Sequence, residues 1–430
     1  MRFPSAVERD PAIEVWLRNR SGELGAIAQR WFEAMRDCGD DVRELLHDGH
    51  PTACVGDAAF AYVNAFRAHV NVGFFRGAQI AAFTFSHNSA CGEAPVLAGN
   101  APLIKAIVHR CYGPPEVLRL EEIEKPTPAD DEVLVRVQAA SANPLDWHYM
   151  RGTPYVMRLD AGLGAPKSAR LGVDFAGKVE AVGKDVKRFK PGDEVFGGRT
   201  GAFGEYVTVR EERAVVIKPA AVTFEQAAAV PIAALTALQG LRDKGHLQAG
   251  QKVLINGASG GVGTFAVQLA KALGAEVTGV CSTRNVDLVR SIGADHVIDY
   301  TQENFTEGGP RFDLVLDMVG NHSLLDVTRA LKPDGTLVIV GGSNEGVWVG
   351  PMARPLMAFV LSPFVSQQLA FLLADLNKED LQVVSDMMQD GRVTAVIDRR
   401  YRLSEVPEAI RYLEEGHARG KVVINLESTE

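Results

Sequence analysis

One segment, VLINGASGGVGTFAVQLAKALGA at 253–275, narrows what this chain can fold into more than any other. Its apolar start, Val253–Asn256, has the length and composition of a buried strand. Gly257, Gly260, Gly261 and Gly263 follow, and then Val262, Ala266, Leu269, Ala270 and Leu273 recur at the spacing of one helix face. Glycines let a backbone turn tightly, approach a pyrophosphate and pack the helix on the strand. The helix N-terminus then offers unpaired N–H groups and a positive dipole to phosphates. Gly257, Ser259, Gly260, Gly261, Val262 and Gly263 are therefore candidate cofactor-binding residues. Ala258 stands at the first glycine of the usual spacing, so the inference rests on the strand–turn–helix context and the βα unit after it. A tight turn without ligand is the alternative, and it rarely needs four glycines.

Beyond this segment strands and helices alternate: AEVTGV, NVDLVRSIG, HVIDY, FDLVLDMVG, SLLDVTRAL, GTLVIVGG. Such alternation predicts a doubly wound parallel sheet of the Rossmann type. An NAD site usually carries an acid at the end of the next strand, to bind the ribose 2′-hydroxyl. Here VTGVCSTRN offers Ser282, Thr283 and Arg284, whose hydroxyls and guanidinium suit a 2′-phosphate. NADP(H) is the expected cofactor, with a solvated helix-cap role as the alternative for Arg284.

The rest of the chain changes style twice. Residues 11–82 place Trp16, Ile27, Trp31, Met35, Val42 and Leu45 at loosely helical intervals. A small, polar stretch at 83–102 reads as a linker. From Leu103 short strand patterns crowd together (IKAIV, EVLVRVQAAS, GKVEAVG, DEVFG, GEYVTV, AVVIKP), which predicts a barrel-like β unit. The expected domains are an N-terminal module at 1–82, a β-rich domain at 103–222 to which 390–430 returns, and a nucleotide-binding domain at 223–389. The tail shows one helix and one strand.

Bulk properties mainly exclude. At 430 residues, 46% hydrophobic and 23% charged, the chain is long enough for two or three cores. Its net charge of −9 and dispersed basic residues argue against a nucleic-acid partner. Five cysteines without CxxC spacing argue against a disulfide framework and a thiolate zinc site, and for a reducing, cytoplasmic compartment. The N-terminus carries charges where a signal peptide needs an apolar run. LMAFVLSPFV (356–365) is too short for stable membrane insertion, which takes about 20 apolar residues. It suits a buried helix, a cleft wall or a dimer contact, so a homodimer stays open.

The motifs KAIVHRCYGPPEVLRLEEIEKP, SANPLDW, GVDFAGKVEAVG, FKPGDEVFG, AAVPIAALTALQGL, NGASGGVGTFAVQLAK, GADHVIDY and ARGKVVI together resemble the medium-chain dehydrogenase/reductase superfamily over about residues 103–427. The branch they most resemble is its zinc-free quinone oxidoreductases. The resemblance implies an α/β fold with a GroES-like β-rich catalytic domain and a Rossmann domain. Zinc alcohol dehydrogenases of that superfamily carry Gly-His-Glu where this chain has Gly172-Val173-Asp174, and their histidine binds metal. The cysteine ligand expected after the strand near 141 is replaced by Asn143, and FGGRTGAFGEYV leaves no room for the four-cysteine lobe. No zinc is the expectation, and Asp174 reads as structural.

The same resemblance assigns roles. Asn143 matches the asparagine lining the nicotinamide pocket. Thr236, Val319, Gly320, Gly341 and Gly342 lie where the nicotinamide end passes, Tyr300 packs near the adenosine ribose, and Lys421 reaches the cofactor cleft. His148 and Tyr149 are candidate proton donors beside water, since histidine titrates near neutrality and tyrosine donates a hydrogen bond. The bland alternatives are a turn cap for Asn143 and Asp146, core packing for Tyr300 and a surface position for Lys421. The implied activity is NADPH-dependent hydride transfer to a quinone or an α,β-unsaturated carbonyl. A zinc-independent alcohol or aldehyde dehydrogenase and a non-enzymatic NADPH-binding regulator are the alternatives.

HVNVGFFRGA (69–78) resembles a small α/β bacterial domain of unknown function, here truncated, so the N-terminal module is expected to be small α/β or mostly helical. The spacing of His47, His50 and His69 fits no metal-ligand pattern.

Overall fold

The structure, a computed structural model, describes residues 10–18, 29, 32, 42–47, 50–55, 58–65, 70–74 (42–74 chiefly as backbone), 102–309, 311–342 and 353–426. It divides into two units, Met1–Ser89 and Ala90–Glu430.

In the first unit the helix Pro11–Arg18 buries Ile13, Trp16 and Leu17. Four strands, β1 (Val42–His47), β2 (His50–Val55), β3 (Ala58–Ala65) and β4 (Val70–Phe74), form an antiparallel meander in that order. The mostly helical alternative therefore gives way to α/β. Val42, Leu45 and Leu46 satisfy a helical spacing as well as a strand's. The Asp48-Gly49 pair between β1 and β2 is a hairpin signal that outweighs it. His69 lies outside the described residues.

The second unit begins with the hairpin β5 (Leu103–Val108) and β6 (Arg119–Glu124). A seven-stranded sheet follows, containing β7 (Glu132–Ala142), β8 (Asp174–Val182), β9 (Glu194–Gly198), β10 (Tyr206–Arg210) and β11 (Val215–Ile217). The chain's end completes it: β18 (Ile397–Arg402) and β19 (Lys421–Asn425) pair in parallel, and β19 runs antiparallel to β7. The tail thus holds two strands rather than one. IDRRYR carries too few apolar residues to announce a strand, and pairing with β19 makes it one. Val135, Phe175, Val195, Val209 and Val422 are fully buried in this sheet's core.

The Rossmann part is a six-stranded parallel sheet of β12 (Lys252–Asn256), β13 (Glu276–Cys281), β14 (His296–Asp299), β15 (Phe312–Asp317), β16 (Leu331–Ile339) and β17 (Gln368–Phe371). Its order is β14-β13-β12-β15-β16-β17, the doubly wound arrangement whose chain reverses direction between β12 and β15. Both faces are covered, so β12 is apolar throughout, with Val253, Leu254 and Ile255 fully buried. Each such side chain contributes about 1.5–3 kcal/mol. The helix Gly261–Ala272 packs behind it with Phe265, Ala266, Leu269 and Ala270 fully buried.

Two expectations are corrected. LMAFVLSPFV lies in the helix Ala353–Leu361 and the turn after it, yet Phe359 and Phe364 are each 82% exposed, with Leu356, Met357 and Val360 also exposed, so it is not core. Cys111 is disulfide-bonded, which no CxxC or other cysteine spacing announces in the sequence; Cys281 is a free buried thiol. Among the described residues no helix is long and apolar enough to cross a membrane.

Candidate active site

The turn after β12 sits at the sheet's switch point, where doubly wound folds bind ligands. Gly257 turns with φ +92°, and a Cβ on Gly263 would fall 2.1 Å from the Gly257 carbonyl oxygen, so the close approach of turn and helix excludes a side chain there. The helix that follows has Gly260 at its N-cap and no side-chain cap, which leaves its first-turn N–H groups available to an anion. These features fit the pyrophosphate of a nicotinamide dinucleotide. The start of β19 meets the same turn: Gly260 and Gly420 form a parallel bridge, and a Cβ on Gly261 would sit 3.3 Å from Lys421 Cδ.

Beside the turn lies a buried polar cluster assembled from distant strands. Asp174, at the start of β8, is fully buried and faces Ser141 in the β7 register. Its Oδ2 accepts from Ser141 Oγ at 3.0 Å and Asn143 Nδ2 at 2.9 Å, with Lys421 Nζ at 3.5 Å. Its Oδ1 accepts the Ile232 N–H at 3.0 Å. Lys421 Nζ also donates to Asn143 Oδ1 at 2.5 Å. Burial pushes the Asp174 carboxyl up and the Lys421 ammonium down, while each favours the charged form of the other. Asp146, in the helix Pro144–Arg151, accepts the Asn143 N–H at 2.7 Å, so it is a turn cap. Its Oδ1 is buried without a partner, and burial pushes its pKa up to about 7.

Asn143 and Lys421 are therefore brought together, both buried, with the Asn143 amide engaged on both its oxygen and its nitrogen. Thr236 lies in the helix Pro231–Gln239, its hydroxyl donating to the Ile232 carbonyl at 2.7 Å. His148 and Tyr149 do not join the cluster. His148 Nδ1 is 2.7 Å from the Thr153 carbonyl oxygen, its ring stacks on Trp147, and burial lowers its pKa. Tyr149 packs against the β-rich core, and burial raises its pKa. Lys421 is no surface lysine, and Tyr300 is 54% exposed, not core.

At the far end of the turn, Thr283 Oγ1 donates to Asp299 Oδ2 at 2.6 Å, and Arg284, exposed, donates to the His417 carbonyl at 3.2 Å. Ser282 is joined to the glycine turn by a residue that sequence reasoning missed. Asn285 Nδ2 donates to Ser259 Oγ at 3.0 Å and Ser282 Oγ at 3.2 Å, and its own Oδ1 is buried without a partner. Asp317, fully buried at the end of β15, was missed too. Its Oδ1 accepts from Val319 N, Gly320 N and Asn256 Nδ2, and its Oδ2 pairs with Arg354 at 2.7 Å. This holds the Val319–Gly320 turn, which packs on Gly342; a Cβ on Gly341 would meet the Met318 carbonyl oxygen at 2.3 Å. Hydrophobic residues around an acid at a strand end were the available signal; the partner Arg354, 37 residues on, carried none.

Among the described residues no group of three or more His, Cys, Asp or Glu side chains is placed to hold a metal ion.

Residues 129–220 match the family described as alcohol dehydrogenase GroES-like domain, and residues 292–424 the one described as zinc-binding dehydrogenase. The chain is 34% identical over 337 residues to the 2-methylene-furan-3-one reductase of Solanum lycopersicum, across 75% of this chain and 79% of that protein. It is 34% identical over 336 residues to the chloroplastic NADPH-dependent alkenal/one oxidoreductase of Arabidopsis thaliana, across 75% and 79%. The solved quinone oxidoreductase from Coxiella burnetii superposes with a TM-score of 0.65 at 32% identity, covering 76% of this chain and all (100%) of that one. The chain belongs to the medium-chain dehydrogenase/reductase superfamily, in its quinone oxidoreductase-like branch, and is a nicotinamide-dependent oxidoreductase.

Proposed function

We propose that this chain transfers hydride from NADPH to a quinone or an α,β-unsaturated carbonyl without zinc. The observation that carries the proposal is Lys421. Its ammonium lies 2.5 Å from Asn143 Oδ1 and 3.5 Å from Asp174 Oδ2, so the place where buried carboxylates would gather a metal already holds a cation. A catalytic zinc takes three protein ligands of the N, S or O type. Val173 offers no donor, and Asp174 is already engaged by four partners. The donor set does not fit zinc. A simple alcohol then has nothing to prepare its alkoxide, whereas a quinone or enone spreads the arriving charge over its own conjugated oxygen. Relatives whose names specify an enone, an alkenal or a quinone support this acceptor class.

The nicotinamide supplies the hydride when bound. The residues of this chain supply position. The Gly257–Gly263 turn takes the pyrophosphate, Ser282, Thr283 and Arg284 take the 2′-phosphate, and Tyr300 borders the ribose. Thr236, Val319, Gly320, Gly341 and Gly342 border the nicotinamide end, which Asn143 and Lys421 close from the β-rich side. Water protonates the product, because His148 is held by the Thr153 carbonyl and burial favours its neutral form.

Loss of NADPH absorbance at saturating 1,4-quinone and at saturating enone tests the proposal, with NADH as comparison. Turnover of either, faster with NADPH and unaffected by chelators, is expected. Tight NADPH binding without turnover points instead to a binding protein, and zinc-dependent alcohol oxidation overturns the proposal.

A further inference from the structure

We infer that Asp174 is a positioning residue for the nicotinamide end of the site, acting as a helix cap supplied from one lobe to the other. The inference rests on the proposed placement of the nicotinamide between Thr236 and Asn143.

The helix Pro231–Gln239 opens the Rossmann lobe and is nearly all buried. Its N-cap is Val230, which has no polar side chain, and Val230 and Pro231 are both buried. Pro231 has no N–H, so the first free donor is that of half-buried Ile232. A donor shielded from water and left without an acceptor is destabilising, so the helix needs a partner from elsewhere. Asp174 of β8 supplies it: Oδ1 accepts the Ile232 N–H at 3.0 Å. One turn later Thr236 donates to the carbonyl of that same Ile232. The other oxygen of the carboxylate faces the β-rich lobe, where it takes Ser141, Asn143 and Lys421. One carboxylate thereby sets the spacing between Thr236 on one side and Asn143 on the other. Lys421 extends the linkage to the phosphate turn, since its stem runs beside Gly261.

Two substitutions separate the two oxygens. Asp174→Asn keeps an acceptor for Ile232 but turns an NH2 group toward the donors Asn143 and Lys421. Asp174→Ala removes both functions. Three readouts are needed: hydrogen exchange across 231–239, NADPH affinity by titration, and single-turnover hydride transfer per binding-competent site. In D174N the helix should stay protected and the NADPH Kd stay within about threefold, while hydride transfer falls by up to about 100-fold, the scale of a displacement near 1 Å. In D174A protection across 231–239 should fall as well. Wild-type exchange in D174A, or a wild-type transfer rate per bound NADPH in D174N, overturns the inference. If the wild-type protein turns over neither a quinone nor an enone, the acceptor proposal has failed. The exchange and affinity measurements on D174A still decide the cap.

Discussion

Lys421 Nζ donates to Asn143 Oδ1 across 278 positions of sequence, and both side chains are buried. Strand register explains the meeting. Val422 pairs with Ala142 in the antiparallel β19–β7 ladder, which places Lys421 opposite Asn143 at the strand ends. Lys421→Met keeps most of the stem volume and removes the cation beside Asp174. Breaking a buried ion pair by removing one partner costs about 3–5 kcal/mol, so the urea midpoint of K421M should fall strongly. The double variant D174N/K421M leaves no unpaired charge and should recover part of that loss. Additive effects of the two single substitutions would show that the pair is not coupled.

The partnerless Oδ1 of Asp146 makes stability depend on pH. Burial is the main cause that raises this carboxyl to about 7, and the neighbouring Asp174 charge adds to it. In the unfolded chain an aspartate ionises near about 3.9. Between these values the folded state keeps a proton that the unfolded state has released. This contribution to stability therefore falls as pH rises through that window and levels off above about 7. Asp146→Asn removes one titrating group, so urea midpoints from acid to neutral pH should decline less steeply in D146N than in the wild type. Equal slopes would mean that Asp146 does not titrate in this range.

Different parts of the molecule were legible in the sequence for different reasons. The β12 strand, the glycine turn and the helix after it are contiguous, so period and composition revealed them together. β6 and β18 went unseen because RLEEIE and IDRRYR are polar segments made into strands by their partners. Asp174 was visible as an acid among apolar neighbours, but its partners lie 31 to 247 positions away, and no local spacing encodes them. Asn285 sits one residue past the Ser282–Arg284 hydroxyl and guanidinium run, and its uncharged amide gains meaning only from its contacts with Ser259 and Ser282.

Arg284 is exposed and donates to the His417 carbonyl, which holds it at the end of β13 beside Ser282. If it meets the 2′-phosphate, Arg284→Ala removes a hydrogen bond to a charged group, in the range of about 1.5–3 kcal/mol. The kcat/KM for NADPH should drop about tenfold or more while that for NADH changes little. Parallel losses with both cofactors would place Arg284 outside the 2′-phosphate site.

The glycine turn gives the sharpest test of the cofactor site. A Cβ at 263 would lie 2.1 Å from the Gly257 carbonyl oxygen and 2.8 Å from Ala258 backbone atoms. Backbone cannot swing aside as a side-chain tip can, so Gly263→Ala forces the turn and the helix start apart. Overpacking of this kind costs about 1–3 kcal/mol of stability. The larger effect should fall on binding, because the first-turn N–H groups move away from the pyrophosphate. Titration of NADPH into G263A should show a Kd raised about tenfold or more, a loss of about 1.4 kcal/mol or greater. Gly164→Ala is the control, since a Cβ there meets nothing within 4 Å and its φ is not positive. Unchanged affinity in a folded G263A protein would remove the pyrophosphate from this turn.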